Sequence, residues 1–188
     1  MRWNWTQPDW PNFRYDSAAV EALERRFLLS SGEIVGAVRH VTSDERDRLR
    51  IELLSEEAMR TSAIEGEVLD RGSVQASLRR QFSLISDDVA SRPKEQGVAE
   101  MMVDVYSTYA EPLTHDTLSR WLGMLLAHDR GLETIGAYRR HADAMQIVSG
   151  RIDRPTVHFE APPSAQVHSE MDVFVDWFNR TAPDGPTP

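Results

Sequence analysis

Residues 44–66 read "DERDRLRIELLSEEAMRTSAIEG", and the fold class follows from their spacing. Ile51, Leu54, Ala58, Thr61 and Glu65 recur at steps of three and four, which puts them on one face of an α-helix. Ser43 and Asp44 are the N-cap candidates. Gly66 supplies the stop, since glycine takes the backbone that ends a helix. The face therefore closes on a carboxylate. Glu65 lies one turn beyond Thr61, within reach of its hydroxyl, and Gly66 beside it admits another chain segment at close range. A desolvated carboxylate is costly without a cation or several donors, and arginine is the best such partner. The alternative is a helix-end glutamate in water, and spacing alone leaves both open.

Working outward, "YDSAAVEALERRFLL" predicts a helix with Asp16 or Ser17 as N-cap, Val20, Leu23 and Phe27 on one face, and a stop at Gly32. The short segment "EIVGAVRHV" then leads to the helix of residues 44–66. Ahead of both, "WNWTQPDWPNF" reads as an extended arm laying aromatic rings on a helical body, with an aromatic ligand cage as the alternative. Downstream, "SVQASLRRQF" aligns Val74, Leu78 and Phe82, and "SLISDDVASRP", closed by Pro93, is the loop or linker candidate.

In the second half Val98, Met101, Met102, Val105, Tyr106 and Tyr109 form an apolar stripe for which core packing is the default. "THDTLSRWLGMLLAH" is a helix capped by Thr114, with Leu118, Trp121, Leu122 and Leu125 as its face. One hairpin is expected, from Met145–Val148 and Thr156–Phe159, joined by "SGRIDRP". Ser164 is the cap candidate of a last helix bearing Val167, Met171, Phe174 and Phe178, and "TAPDGPTP" reads as a frayed end. The fold class is mainly α, a bundle of about seven or eight helices with one β-hairpin.

Composition narrows the function. The 188 residues are 40% hydrophobic, enough for a core, and no apolar run approaches the length of a membrane span. The N-terminus lacks the pattern of a secretory leader, so a cytoplasmic protein that neither crosses nor binds a membrane is expected. The absence of cysteine removes disulfides and thiolate metal sites. A net charge of -9 argues against a nucleic-acid face, and the pairs Arg25-Arg26, Arg79-Arg80 and Arg139-Arg140 read as solvated helix faces.

The six histidines show no metal-ligand spacing, so no metal site is expected. Phosphate-cradle and nucleophile-elbow motifs are absent as well. "HFE" at 158–160 sits at a strand end and reads as a hairpin edge.

One resemblance sharpens the reading of Glu65. "TSAIEG", Thr61 to Gly66, resembles the [ST]-x-x-x-E-[GN] inhibitory motif of Fic-family proteins, which transfer AMP from ATP to protein hydroxyl groups. "WNWTQPDWPNF", "SAIEGEVLD" and "SVQASLRR" are similar to the helical domain that precedes many bacterial Fic domains. "GAYRRHADAMQIVSG" followed by "VHFEAPPSAQVHSEMDVFVDWFN" resembles the opening of a Fic core: a Gly-x-x-Arg turn, a hairpin flap, and a helix after paired prolines.

The resemblance implies that residues 1–90 are an N-terminal helical domain with the inhibitory helix, and that 91–188 begin a Fic-type core. Glu65 would be the inhibitory glutamate, with Thr61 and Gly66 in the flanking motif positions. It would take an arginine that otherwise binds the nucleotide γ-phosphate. The flap, Met145, Gln146, Ile147, Val148, Thr156, Val157, His158 and Phe159, would dock a target protein by strand addition. The family signature H-x-F-x-[DE]-G-N-G-R-x-x-R does not occur here. No catalytic residue is therefore expected in these residues, and the chain is expected to stop short of the active site. ATP and Mg2+ are implied for the complete enzyme and no cofactor for this portion; a homodimer is a possible partner state. The alternative is a stand-alone antitoxin-like or adaptor module that offers Glu65 in trans.

Overall fold

The computed structural model describes residues 3–8, 10, 14, 16–84, 90–151 and 153–182. Among them are six α-helices and one antiparallel hairpin: α1 (Ser17–Val38), α2 (Ser43–Ile64), α3 (Arg71–Gln81), α4 (Pro93–Thr108), α5 (His115–Leu126), β1 (Gln146–Arg151), β2 (Arg154–Glu160) and α6 (Ser164–Thr181). The class is mainly helical, as the spacing requires. The described residues hold six helices where seven or eight are expected, and Gly32 is no stop. It does not take the positive φ that ends a helix, and α1 runs through it to Val38, absorbing most of "EIVGAVRHV". An interior glycine costs a helix only about 1 kcal/mol.

Chain contacts divide the protein into two units, residues 1–40 with 138–173 and residues 41–137 with 174–188. Every described side chain that is buried lies in the second unit. There Ile51 and Ala58 of α2, Val74 and Leu78 of α3, and Val98 and Ala99 of α4 make one core, joined by Leu69 from the α2–α3 connection. Asp70 caps α3 through a bond from the Ser73 N–H, and Pro93 opens α4 at the one turn where a missing N–H is harmless. The buried Ser73 hydroxyl accepts the Arg92 N–H at 2.9 Å, tying the start of α4 to α3.

Gly97 lets α5 come close: a Cβ there would meet the Met124 carbonyl oxygen at 2.1 Å. The same two helices are bridged by Asp104, which accepts from Arg120 at 2.8 Å and from the Trp121 indole at 2.6 Å. Arg50 of α2 lies over the rings of Phe82 and Tyr106, 4.9 and 5.4 Å from their centroids. Asn179 near the end of α6 exchanges two hydrogen bonds with the Leu113 backbone.

The first unit holds α1, the N-terminal arm, the hairpin and the start of α6. No residue of α1 is buried, and Leu23, Phe27 and Ile34 are exposed. The arm is not wholly extended, since Asn4–Thr6 form a 3-10 turn. It lies in part on the hairpin: Trp3 packs edge-on against Phe159, and the Trp5 indole donates to the Glu160 carbonyl at 2.6 Å. The Trp10 indole donates to Glu170 of α6 at 3.2 Å. Pro11 to Phe13 of the arm, residues 85–89 of the expected loop and residues 183–188 of the expected frayed end lie outside the described residues.

The strands are longer than their β-branched cores. Gly150 pairs with Pro155 and Arg151 with Arg154, so Ser149 to Arg151, Arg154 and Pro155 of the expected link "SGRIDRP" are strand residues. Proline is tolerated because a two-stranded ribbon has only edges. Met145 falls outside β1, although its carbonyl accepts the Ala161 N–H at 2.9 Å. Between Ile147↔Phe159 and Val148↔Val157 the register slips, leaving His158 as the surplus residue of a β-bulge.

Candidate functional site: the Glu65 turn and its groove

The helix that carries Glu65 is fixed at both ends by local chemistry. Its N-cap is Thr42, one residue before the expected Ser43 and Asp44. Thr42 and Glu45 form a reciprocal capping box, the Glu45 N–H reaching Thr42 Oγ1 at 3.3 Å and the Thr42 N–H reaching Glu45 Oε2 at 3.1 Å. The T-x-x-E spacing was the signal for it. At the other end Gly66 sits at φ +79, the Glu67 N–H bonds the Ser62 carbonyl at 2.8 Å, and the Gly66 N–H bonds the Ala63 carbonyl at 3.1 Å. This pair of bonds is the Schellman termination that a glycine permits.

The stripe of α2 changes character along its length. Ile51 and Ala58 are buried, Leu54 is half-buried, and Thr61 and Glu65 are exposed. The expected Thr61–Glu65 bond is not made. The Thr61 hydroxyl donates to Glu57 at 3.1 Å, four residues back, the direction in which helical side chains lean. Among the described residues the Glu65 carboxylate has neither a hydrogen bond nor a cation. It stands at the negative end of a helix of 22 residues with no basic side chain in its last turn, where a second negative charge is unfavourable and a cation is favoured.

The turn after Glu65 is held to the first turn of α4. Lys94 pairs with Glu67, which holds the Glu67 carboxyl below the usual glutamate range, with His128 adding to the effect. Glu95, 2% exposed, accepts the Asp70 N–H at 3.0 Å through Oε1, while its buried Oε2 has no partner among the described residues.

Beside Glu65 opens a groove of about 350 Å³ whose floor is apolar: Ala58, Val98, Met101, Met102, Leu125 and Leu126. Its rim carries Glu65, the Lys94–Glu67 pair, His128 and Asp129. The C-terminal ends of α2 and α5 both reach this groove, and each is followed by a carboxylate that has no cation among the described residues, Glu65 and Asp129. Among the described residues Asp129 accepts only the Gly131 N–H, at 2.8 Å. The site can therefore receive an apolar body with positive charge at its edge.

Sequence reasoning missed Lys94, Glu95, His128 and Asp129, which carry no motif. Met101 and Met102, read as core, line the groove while half-buried. A larger hollow of about 530 Å³ interleaves Asp44, Asp47 and Glu52 with Arg48 and Arg79, a lining of mixed charge.

The hairpin residues belong to the first unit. Gln146, Ile147 and Val148 lie in β1 and Thr156, Val157, His158 and Phe159 in β2. Met145, Ile147 and Val148 are more than half exposed. Gln146 Nε2 donates to Glu160 at 2.7 Å, and the ring of His158 meets the Ser149 hydroxyl at 2.6 Å. Ahead of the hairpin Arg139 donates to the Pro162 carbonyl, so the arginine of "GAYR" grips the first of the paired prolines before α6.

One family model matches, over residues 3–84, and its description is a domain of unknown function, DUF4172. No curated protein matches the chain. No described helix is long and apolar enough to cross a membrane.

Proposed function

We propose that these residues are the regulatory and target-docking portion of a Fic-type protein adenylyltransferase, autoinhibited by Glu65. The observation that supports this reading is the state of Glu65 within "TSAIEG": an exposed carboxylate with no cation among the described residues, at the negative end of α2, on the rim of an apolar groove. Such a carboxylate mimics a phosphate oxygen. It takes a guanidinium in bidentate fashion and repels the phosphate that would otherwise hold it.

In this reading residues 1–90 form the regulatory helical domain, and 91–188 open the core. ATP and Mg2+ belong to the complete enzyme, and the chemistry is done outside these residues. The hairpin supports the docking half, because a two-stranded ribbon has unpaired edges to which a target segment can add as a strand, with Ile147 and Val148 offering exposed apolar contacts.

The test uses a polypeptide in which these residues are followed by the H-x-F-x-[DE]-G-N-G-R signature, incubated with labelled ATP. Glu65→Gly is expected to raise self-labelling severalfold, and the 188-residue chain alone is expected to show none. Equal labelling of the two longer forms would remove the inhibitory role. A second reading, an antitoxin-like module acting in trans, is favoured by the solvent exposure of Glu65. Adding the 188-residue chain to a signature-bearing protein that lacks its own glutamate would lower that protein's labelling.

A further inference from the structure

We infer that the groove beside Glu65 is the docking site for a basic amphipathic segment of a partner polypeptide. Its apolar side chains would seat on Met101, Met102, Leu125 and Leu126, and two cationic side chains, one of them arginine, would meet Glu65 and Asp129. This extends the function proposed above. It rests on that reading for the arginine at Glu65 and on the groove itself for the rest.

Three independent features lead to that occupant. The first is the floor, which is apolar and built partly from methionines, whose unbranched, polarizable side chains adapt to irregular partners. An ionic ligand alone would leave this surface unused. The second is the rim. Lys94 is already paired with Glu67 and His128 acts on that same carboxylate, so the acids left to a visitor are Glu65 and Asp129. The third is the backbone. The carboxy ends of α2 and α5 converge here, neither with a basic residue in its last turn, and their partial charges add to those of the two acids. An acidic segment would face repulsion on two sides, a neutral one would leave both acids unpaired, and a purely basic one would forgo the floor. A segment with leucines at helical spacing and flanking arginines uses all three features.

The chain can be tested as it stands. With methionine methyl groups labelled for NMR, the 188-residue protein is titrated with a helical peptide bearing Leu at i, i+4 and i+7 and two flanking Arg. Two controls have the Arg replaced by Glu, or the Leu by Ser. The arginine peptide is expected to shift the Met101 and Met102 methyls selectively, and both controls to bind far more weakly. Glu65→Gln, at an exposed side chain with no partner among the described residues, leaves the fold intact and is expected to weaken the arginine peptide about fivefold, the scale of one exposed ion pair. Leu126→Lys, with its fold checked by circular dichroism, is expected to abolish binding.

Methyls unmoved by the peptide, equal binding of the Arg and Glu peptides, or an unchanged affinity in Glu65→Gln would each overturn the inference. The two readings fail separately. Peptide binding that persists while Glu65→Gly leaves self-labelling unchanged sinks the inhibition and spares the docking site; increased labelling without peptide binding does the reverse.

Discussion

Glu65 and its neighbour divide the work of the turn at the level of single residues. Gly66 contributes conformation, not space: nothing lies within 4 Å of where its Cβ would be, yet its φ is +79. Gly66→Ala should therefore cost about 1 kcal/mol from backbone strain alone, visible as a lower urea midpoint with an unchanged slope. Gly97 is the opposite case. Its backbone is ordinarily helical, but a Cβ would sit 2.1 Å from the Met124 carbonyl oxygen. Gly97→Ala must push α4 and α5 apart, and a loss of about 3 kcal/mol or more is expected in thermal melts, as for overpacked cores. The sequence makes the first glycine legible, because a helical stripe stops there. It hides the second, because a close approach between helices leaves no trace in the spacing of either.

Among the elements, α4 and α5 are joined by a charge whose contribution depends on pH. Arg120 and then Trp121 hold the Asp104 carboxyl below the usual aspartate range, with partial burial opposing them. A depressed folded value stabilises the protein above the unfolded pKa of about 4, and the contribution fades as pH falls through the folded value. Asp104→Asn should therefore be less stable than the parent at pH 7, with the difference shrinking toward pH 3; urea titrations at both pH values check it. At the head of α2, Thr42→Ala removes half of the capping box and should cost about 1 kcal/mol.

Helix identity was readable from the apolar period in α2, α3, α4, α5 and α6. Extent was not. Gly32 looks like a stop, but a stop also needs the left-handed backbone, which that residue does not adopt. The caps at Asp16, Asp70 and Thr114 follow the side-chain rule, whereas Ser164 is the first residue of its helix, not the cap before it. The groove was the least legible part. Its floor comes from stripes that also build the core, and its rim from residues at helix ends that carry no motif.

For the whole molecule, burial is unevenly shared. All the described buried side chains belong to residues 51–113, while α1 keeps large apolar groups such as Phe27, 70% exposed, in contact with solvent. Local opening follows contact density. Amide exchange should accordingly be slowest at the α3 and α4 amides near Leu78 and Ala99 and fastest along α1. Protection of α1 equal to that of α3 would mean that this helix is covered by a partner in solution.

The surplus residue at 158 has a consequence for insertions and deletions. Strand parity is binary: removing one residue from an ordinary stretch exchanges inside for outside along the remainder. Excising His158 would instead yield an even ladder, because Val157 and Phe159 already oppose Val148 and Ile147, neighbours on opposite faces. Both would keep their partners and their faces, and Phe159 would remain the ring on which Trp3 rests. A single-codon deletion there is thus expected to leave the ribbon paired and the amino-terminal arm seated, with tryptophan emission unchanged.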